Sequence, residues 1–208
     1  GGFGVVELVC DSYSKQDMVL KRCNIDRPES FETASLEIKM LQRYKSPYIV
    51  NLIDSCIHQK NKTSREAFLL LDYCPGDHLL NRLVHRNGQH LPVDVILRMF
   101  GQLCMALKEM HASHPPIIHR DIKLENILFG QDGNVRLCDF GSCAESPILV
   151  RNLDERQAAE EKIAKETTQM YRAPEMIDLY LRPMLTEKTD IWALGCVFYA
   201  MCFLTHPF

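Results

Sequence analysis

The sequence predicts an α+β fold in two unlike parts, a strand-rich part over residues 1–73 and a helical part over residues 74–208. Three observations predict this division. Alternating and β-branched runs occupy the first part, apolar residues at helical spacing occupy the second, and the turn-like sequence CPGD (74–77) separates them. We therefore expect two lobes with a hinge at CPGD.

Three strands and one helix are predicted in the first part. The strands are predicted from the apolar and β-branched runs GVVELVC (4–10), DMVLKRC (17–23) and AFLLLDY (67–73). The helix is predicted over Ser30–Arg43, where apolar residues recur on one face and Glu37 borders that face. The first part should be a small sheet with one helix packed on it.

The second part is predicted to be mostly helical. Apolar residues keep the spacing i, i+3, i+4, i+7 over residues 92–111, which indicates an amphipathic helix. The sequence LDERQAAEEKIAKE (153–166) mixes charges of both signs and is typical of a solvated helix. The sequence DIWALGCVFYAMCF (190–203) is apolar on every side, so we expect that helix to be buried.

Composition narrows the class of protein. A net charge of −3 offers no basic surplus for binding nucleic acid. The nine cysteines form no C-x-x-C pair, so we expect reduced thiols and a cytoplasmic protein rather than a disulfide scaffold. No stretch resembles a secretory signal or a transmembrane span. The chain starts at Gly1 without methionine and stops in THPF, so we expect a piece of a longer protein, cut at both ends.

Three features of the first part indicate a binding site only when they are considered together. The glycines of GGFG precede a strand, which suits either a hairpin turn or a loop whose backbone N–H groups approach phosphate. Lys21 lies in an apolar strand and Glu37 beside a buried helix face, and each alone is an ordinary surface residue. Jointly they describe a phosphate cradle, a cation and a carboxylate that holds the cation.

Three further motifs follow in a fixed order. The sequence IIHRDIKLENILF (117–129) places dense polar residues between apolar flanks, LCDFG (137–141) places Asp139 directly after a strand, and YRAPE (171–175) comes later. An Asp-Gly turn alone would explain the second motif. The ordered set resembles the eukaryotic protein kinases from Gly1 to Phe208. The resemblance implies a bilobal fold, with a small antiparallel β lobe carrying one key helix and a larger helical lobe.

The resemblance implies transfer of the γ-phosphate of ATP, with Mg²⁺ or alternatively Mn²⁺, to protein hydroxyl groups. Asp121 would orient or deprotonate the acceptor hydroxyl, and Lys123 would steady the γ-phosphate. Asn126 and Asp139 would bind the metal ions, since hard amide and carboxylate oxygens suit Mg²⁺. Thr168, five residues before Ala173, matches a threonine that in serine/threonine kinases contacts the residues corresponding to Asp121 and Lys123. The pattern Asp-x-Lys-x-x-Asn also resembles the pattern of serine/threonine kinases.

The resemblance also implies a nucleotide pocket. Lys21, kept in place by Glu37, would hold the α- and β-phosphates, and Leu71 would be the gatekeeper. The remaining residues implied for the pocket are the phosphate-covering Gly1, Gly2 and Gly4, the adenine-pairing backbone groups of Asp72 and Cys74, and the apolar Val6, Val19 and Leu128 around the ring. Val19 stands where the family usually has alanine.

A finer resemblance is to the Numb-associated kinases, carried by LCDFGS, TTQMYRAPEMIDLY and LTEKTDIWALGCVFYAMC. It implies clathrin-adaptor substrates, a role in endocytosis, peripheral membrane association through regions outside this chain, and an extra helical piece within residues 174–190. Three alternatives remain open. They are a pseudokinase-like nucleotide-binding scaffold, a kinase of small molecules and a serine/threonine kinase of another subfamily. The presence of Lys21, Asp121 and Asp139 favours an active kinase over the first, and APE with Thr168 disfavours the second.

Overall fold

An antiparallel sheet and a group of helices make up the chain in the computed structural model, which describes residues 4–61, 64–180 and 184–208. The strands are β1 (Val5–Cys10), β2 (Asp17–Asn24), β3 (Leu52–Gln59), β4 (Arg65–Asp72), β5 (Ile117–Ile118), β6 (Ile127–Phe129), β7 (Val135–Leu137), β8 (Ala144–Glu145), β9 (Ile148–Leu149) and β10 (Met184–Leu185). The α-helices are α1 (Pro28–Arg43), α2 (Leu79–Val84), α3 (Val93–His111), α4 (Leu153–Glu166), α5 (Pro174–Ile177) and α6 (Lys188–Phe203). The predicted α+β class is confirmed.

The first part of the chain is a four-stranded antiparallel sheet in the order β1-β2-β4-β3. Strand β2 is central, and the register sets Lys21 opposite Leu69 and Val19 opposite Leu71. Helix α1 buries Ala34, Met40 and Leu41 in the core and so lies against the sheet. Because α1 and β2 pack together, their polar residues can meet at one edge.

The sequence prediction omitted strand β3. Its alternation is weak because β3 is an edge strand, and after the buried Leu52 its side chains are mostly exposed. Ile53 and Ile57, which would have marked a core face, are 41% and 52% exposed. Backbone pairing with β4 defines this strand, whereas its side chains show no regular alternation of buried and exposed positions.

The helical part has its core between α3 and α6. Phe100 of α3 and Phe198 of α6 have ring centroids 4.5 Å apart. The prediction that α6 is buried on every side is wrong in part, since Ile191 is 48% and Phe203 58% exposed. An all-apolar sequence has no polar face to reveal which side meets the core.

Short strand pairs position the loops that carry the polar motifs. The β6–β7 pair sets Ile127 opposite Leu137, so the end of the HRDIKLEN loop lies beside the start of the DFG motif. The backbone N–H of Leu137 donates to Tyr48 O at 2.9 Å, and the N–H of Val50 donates to Leu137 O at 3.0 Å. Strand β7 is therefore tied to the chain that follows α1, and the two parts meet at these loops.

A second, smaller hydrophobic cluster lies under α4. It joins α4 and α5 to the chain around β9 and β10 through the buried residues Val150, Ile163, Ala173, Met176, Leu179 and Leu185. Before α6, helix in the described part of residues 174–187 is confined to α5, and residues 181–183 lie outside the described residues. The predicted solvated helix over residues 153–166 is confirmed as α4, which buries Ile163 alone.

The packing of α3 gives a stability prediction with a matched control on the same helix. Leu107 is 2% exposed, whereas Leu97 is 56% exposed. Leu107→Ala should lower the free energy of unfolding by about 2–5 kcal/mol because it leaves a cavity. Leu97→Ala should change it by less than about 0.5 kcal/mol. Urea unfolding followed by circular dichroism measures both, and equal losses would contradict this description of the core.

Candidate functional site

One cleft of about 500 Å³ lies between the sheet and the loops of the helical part, and this volume is ordinary for a small-molecule site. Every candidate residue that the structure describes lines it, namely Gly4, Val6, Val19, Lys21, Glu37, Leu71, Asp72, Cys74, Asp121, Lys123, Asn126, Leu128, Asp139 and Thr168. Gly1 and Gly2 lie outside the described residues. Residues far apart in sequence therefore converge on one site.

A buried ion pair crosses the roof of the cleft. Nζ of Lys21 on β2 lies 2.7 Å from Oε1 and 2.8 Å from Oε2 of Glu37 on α1. The same ammonium lies 3.4 Å from Oδ1 of Asp139. Burial by itself lowers the pKa of Lys21, but the two carboxylates outweigh burial and raise it. Lys21 is therefore charged at neutral pH and fixed in direction.

Asp139 carries its carboxylate into the cleft on an unusual backbone. Its φ of 64° and ψ of 76° are left-handed, a conformation that non-glycine residues rarely adopt outside functional sites. Burial by itself raises the pKa of Asp139, but the charge and hydrogen bond of Lys21, together with weaker effects of other neighbours, outweigh burial and hold that pKa below its ordinary value. The carboxylate is thus ionised and half exposed to the cleft, with room for a ligand.

Asp121 is the centre of a second polar network on the floor of the cleft. Its Oδ1 accepts hydrogen bonds from the hydroxyl and the backbone N–H of Thr168, at 2.7 and 3.1 Å. Its Oδ2 lies 2.7 Å from Nζ of Lys123, which also donates to Thr168 Oγ1 at 3.0 Å. The Asp121 carboxylate, 7% exposed as a residue, is therefore held in one orientation.

The amide of Asn126 is oriented so that its oxygen is available. Nδ2 donates to the backbone oxygen of Asp121 at 2.8 Å and to Asp121 Oδ2 at 3.1 Å. Within residues 4–61, 64–180 and 184–208 no group donates to Oδ1. An amide oxygen and the Asp139 carboxylate fit a divalent ion that completes its shell with water and phosphate oxygens. Among the described residues, no group of three or more His, Cys, Asp or Glu side chains is placed to hold a metal ion.

The HRDIKLEN loop (119–126) is anchored by Asp190 of α6. Its carboxylate accepts the backbone N–H of His119 at 2.8 Å and that of Arg120 at 2.9 Å. Nε2 of His111 on α3 lies 2.9 Å from Asp190 Oδ2. Asp190 is 1% exposed, so these bonds replace water entirely. The loop that carries Asp121 is thereby fixed to both α3 and α6.

His119 has a structural position. Its Nδ1 accepts the backbone N–H of Asp121 at 3.3 Å, so Nε2 carries the proton and donates to Cys138 O at 3.1 Å. Its ring meets the buried ring of Phe140 edge to face, with centroids 5.1 Å apart. Both ring nitrogens are engaged in hydrogen bonds, so His119 has neither of them free to accept a proton.

Apolar residues line the far end of the cleft. Val6 and Val19 come from the sheet, and Leu128 from β6 faces the same space. The backbone N–H of Asp72 already donates to Asn51 O at 3.1 Å, so Asp72 can offer an adenine only its carbonyl. Burial raises the pKa of the Cys74 thiol to about 11, which leaves it protonated.

Gly4 occupies a position that only glycine fits. A Cβ there would lie 2.4 Å from the carbonyl oxygen of Arg22, so the chain entering β1 approaches β2 too closely for any side chain. The roof of the cleft over Val6 is therefore held close to the rest of the sheet.

Two residues whose roles were not predicted from the sequence support the site, namely Glu166 at the end of α4 and Arg172 beyond that end. Arg172 donates to Thr167 Oγ1 at 2.8 Å and to Thr167 O at 2.9 Å, and it reaches the carbonyls of Ile163 and Ala164 at 3.4 Å. It thus satisfies the open carbonyls at the end of α4. Glu166, the last residue of α4, pairs with Arg120. The motif YRAPE contains Arg172 without indicating this role, and no local pattern indicates Glu166.

This fold and this cleft define a protein kinase domain. A buried lysine–glutamate pair, an aspartate after β7 and an aspartate–lysine–asparagine loop surround one pocket below an antiparallel sheet. The family model described as the protein kinase domain matches residues 1–208. The chain therefore belongs to the protein kinase family, with an α+β bilobal fold, and the prediction of a kinase-type enzyme is confirmed.

Several relatives carry serine/threonine kinase names. The chain is 39% identical over 213 residues to a probable serine/threonine-protein kinase of Dictyostelium discoideum, covering all of this chain and 19% of the relative. A second from that organism is 40% identical over 214 residues, with 26% of its length covered. Serine/threonine-protein kinase ppk30 of Schizosaccharomyces pombe is 38% identical over 210 residues, with 22% covered. In both of these the match also covers all of this chain.

The chain spans only about a fifth to a quarter of the length of these relatives.

Protein kinases use ATP and a divalent metal ion. In the part of the chain that the structure describes, no helix is long and apolar enough to cross a membrane.

The ion pair of Lys21 gives a titration prediction. Lys21→Met removes the charge that lowers the pKa of Asp139 while burial persists, so this pKa should rise above its wild-type value. In the wild type the lowered pKa means that this interaction stabilises the fold at neutral pH and is lost as the pH falls through the carboxyl pKa. Carboxyl-carbon NMR titration measures the change. Lys45→Met, whose ammonium contacts Asn51 instead, is the control, and an unchanged Asp139 titration in Lys21→Met would disprove the assignment.

Proposed function

We propose that this chain transfers the γ-phosphate of ATP to serine and threonine hydroxyls of proteins. The observation that carries the proposal is the network around Asp121, whose carboxylate is held by Thr168 and Lys123 at the floor of the cleft. A fixed carboxylate can orient an acceptor hydroxyl for attack in line with the leaving group. The same cleft contains a lysine suited to phosphate oxygens.

The residues divide the reaction between them. The acceptor hydroxyl oxygen forms a bond to the γ-phosphorus while the bond from that phosphorus to the bridging oxygen breaks. The electron pair of the broken bond leaves with ADP, and the hydroxyl proton passes to Asp121. The Lys123 ammonium, 2.7 Å from Asp121 Oδ2, supplies positive charge beside the transferred group. Lys21 holds the α- and β-phosphates and is itself held by Glu37.

Asp139 and Asn126 are proposed to bind Mg²⁺, with Mn²⁺ as an alternative. The free Oδ1 of Asn126 and the half-exposed carboxylate of Asp139 support this pair as ligands. When bound, the ion supplies positive charge that offsets the charge of the phosphates. Val6, Val19, Leu71 and Leu128 would enclose the adenine, with the Asp72 carbonyl and the Cys74 N–H at its edge. The glycines Gly1, Gly2 and Gly4 would cover the phosphates.

Specificity for serine and threonine is proposed from Thr168 and Lys123. Lys123 donates to Thr168 Oγ1 at 3.0 Å, and both residues contact the Asp121 carboxylate. The names of the relatives support the same class. The lobes are proposed to span residues 1–73 and 74–208, with the nucleotide between them.

The subfamily is proposed from sequence motifs alone. The sequences LCDFGS, TTQMYRAPEMIDLY and LTEKTDIWALGCVFYAMC are similar to those of the Numb-associated kinases. On that basis we propose clathrin-adaptor proteins as substrates, and a cytoplasmic enzyme of endocytosis that reaches membranes through other regions of its protein. Phosphorylation of a purified adaptor subunit, compared with a casein control, tests the substrate.

The role of Asp121 gives a kinetic prediction. Asp121→Asn keeps the shape of the side chain but removes the base, so kcat should fall by roughly 100-fold or more. Nucleotide affinity should change little, because Asp121 acts on the hydroxyl. Radiolabelled phosphate transfer to an array of serine, threonine and tyrosine peptides measures the first effect, and calorimetric titration with ATP measures the second. Loss of nucleotide affinity equal to the loss of kcat would contradict the assignment, and transfer chiefly to tyrosine would contradict the substrate class.

Asp139 should behave differently. Asp139→Asn removes a charged metal ligand, so the affinity for ATP in the presence of Mg²⁺ should fall by about tenfold or more, while affinity measured in EDTA should stay nearly constant. Asp94→Asn, an exposed carboxylate on α3, is the control. If the enhancement of ATP binding by Mg²⁺ survives in Asp139→Asn, Asp139 is not a metal ligand. A wild-type chain that binds nucleotide but transfers nothing would be a binding scaffold.

A further inference from the structure

We propose that Glu166 is a positioning residue that holds the catalytic loop in its working geometry through Arg120, so that this chain needs no phosphorylated side chain to order its site. The proposal rests on the proposed kinase function and adds how its site is regulated. Glu166 lies 45 residues after Asp121 in sequence. The link between them is the guanidinium of Arg120.

Arg120 occupies a demanding position. It lies between His119 and Asp121, its φ of 70° is left-handed, and its side chain is 5% exposed. Its Nη2 donates to Oε2 of Glu166, while its buried Nε has no hydrogen-bond partner. Among the ion pairs of the described residues, Glu166 is the carboxylate that meets Arg120. A buried guanidinium without an anion is strongly unfavourable, so Arg120 keeps this conformation because Glu166 is there.

Glu166 is itself fixed to the site by its neighbours. Its backbone oxygen accepts the hydroxyl of Ser142, just after the DFG motif, at 2.7 Å. Two residues later, Thr168 donates to Asp121. The end of α4 is therefore joined to the catalytic loop at two points, through Glu166 to Arg120 and through Thr168 to Asp121. Arg172 closes the same helix end.

The charge of Glu166 stands where a phosphate could otherwise act. In kinases that phosphorylation switches on, a new arginine–phosphate pair orders the activation loop. Here a carboxylate of the folded helix α4 already neutralises Arg120. Helix α4 buries only Ile163, in the small cluster under α4. The order of this segment thus depends on polar links to the loop as well as on packing.

The test compares Glu166→Gln with Glu160→Gln, an exposed glutamate on the same helix, in the full chain. Each protein is treated with phosphatase, and mass spectrometry verifies that phosphate is absent. Wild type and Glu160→Gln should keep their activity on a serine/threonine peptide. In Glu166→Gln we expect kcat to fall at least tenfold while KM for ATP changes less than about twofold, because Lys21 and Asp139 are untouched. Loss of wild-type activity on dephosphorylation, or equal kcat in the two variants, would overturn the proposal.

A double-mutant cycle shows whether Glu166 acts through Arg120. Arg120→Gln and the double variant Arg120→Gln with Glu166→Gln are measured in the same assay. If the pair acts as a unit, the double variant should be no slower than the slower single variant. A loss equal to the product of the two single losses would mean that Glu166 acts independently of Arg120, which contradicts the proposal.

Hydrogen exchange gives a readout that does not depend on phosphate transfer. The amide of Thr168 donates to Asp121 Oδ1, and that of Thr167 donates to Ile163 O at 3.1 Å. In Glu166→Gln both amides should exchange at least tenfold faster, while amides of α3 should be unchanged. Unchanged exchange at Thr168 would disprove the link. If the wild type transfers no phosphate to any peptide, the proposed function fails, whereas this exchange result still decides the role of Glu166.

Discussion

The geometry of the cleft depends on the hydrogen bonds that the buried carboxylate of Asp190 accepts. This carboxylate accepts two consecutive backbone N–H groups of the catalytic loop and contacts the imidazole of His111. Backbone donors with no access to water need such an acceptor, and each one left unpaired would cost about 1–3 kcal/mol. Because Asp190 belongs to α6 and His111 to α3, the loop is fixed to the two helices that form the core of the helical part. Asp121 can therefore be placed accurately on a segment that has almost no regular structure of its own.

Two separate charge networks share the cleft, and their separation explains how several carboxylates coexist there. Glu37 and Asp139 meet the single ammonium of Lys21, while Asp121 meets Lys123 and the hydroxyl of Thr168. Each acid thus has a cation or donors within hydrogen-bonding distance. Two carboxylates held close without such partners would raise each other's pKa, and one of them would then be protonated. The roof network belongs to the sheet and α1, the floor network to the helical part, so a ligand bound in the cleft would lie between two independently supported sets of charges.

The residues that were predictable from sequence are those whose motifs are local. Lys21, Asp121, Asn126 and Asp139 each stand in a short pattern, and the structure brings all of them to one cleft. Strand β3 was missed because an exposed edge strand shows no alternation, and the exposed side of α6 was missed because an all-apolar helix conceals its orientation. Other contacts between residues distant in sequence were not predictable. The two residues of the Arg120–Glu166 pair are 46 positions apart, and no local sequence pattern around either residue predicts the pairing.

The Lys21–Glu37 pair also fixes where α1 can sit along its own axis. Helix α1 advances about 5.4 Å per turn, and the residues one turn before and after Glu37 are Thr33 and Leu41. A shift of one turn in either direction would bring a hydroxyl or an isobutyl group to Lys21 and leave Asp139, at 3.4 Å, as the carboxylate beside its ammonium. Breaking the shorter and more buried of the two contacts, the one to Glu37 at 2.7 Å, is unfavourable. Among whole-turn shifts, only the observed register keeps Glu37 beside Lys21. The ion pair therefore fixes the position of α1 along its axis relative to the sheet.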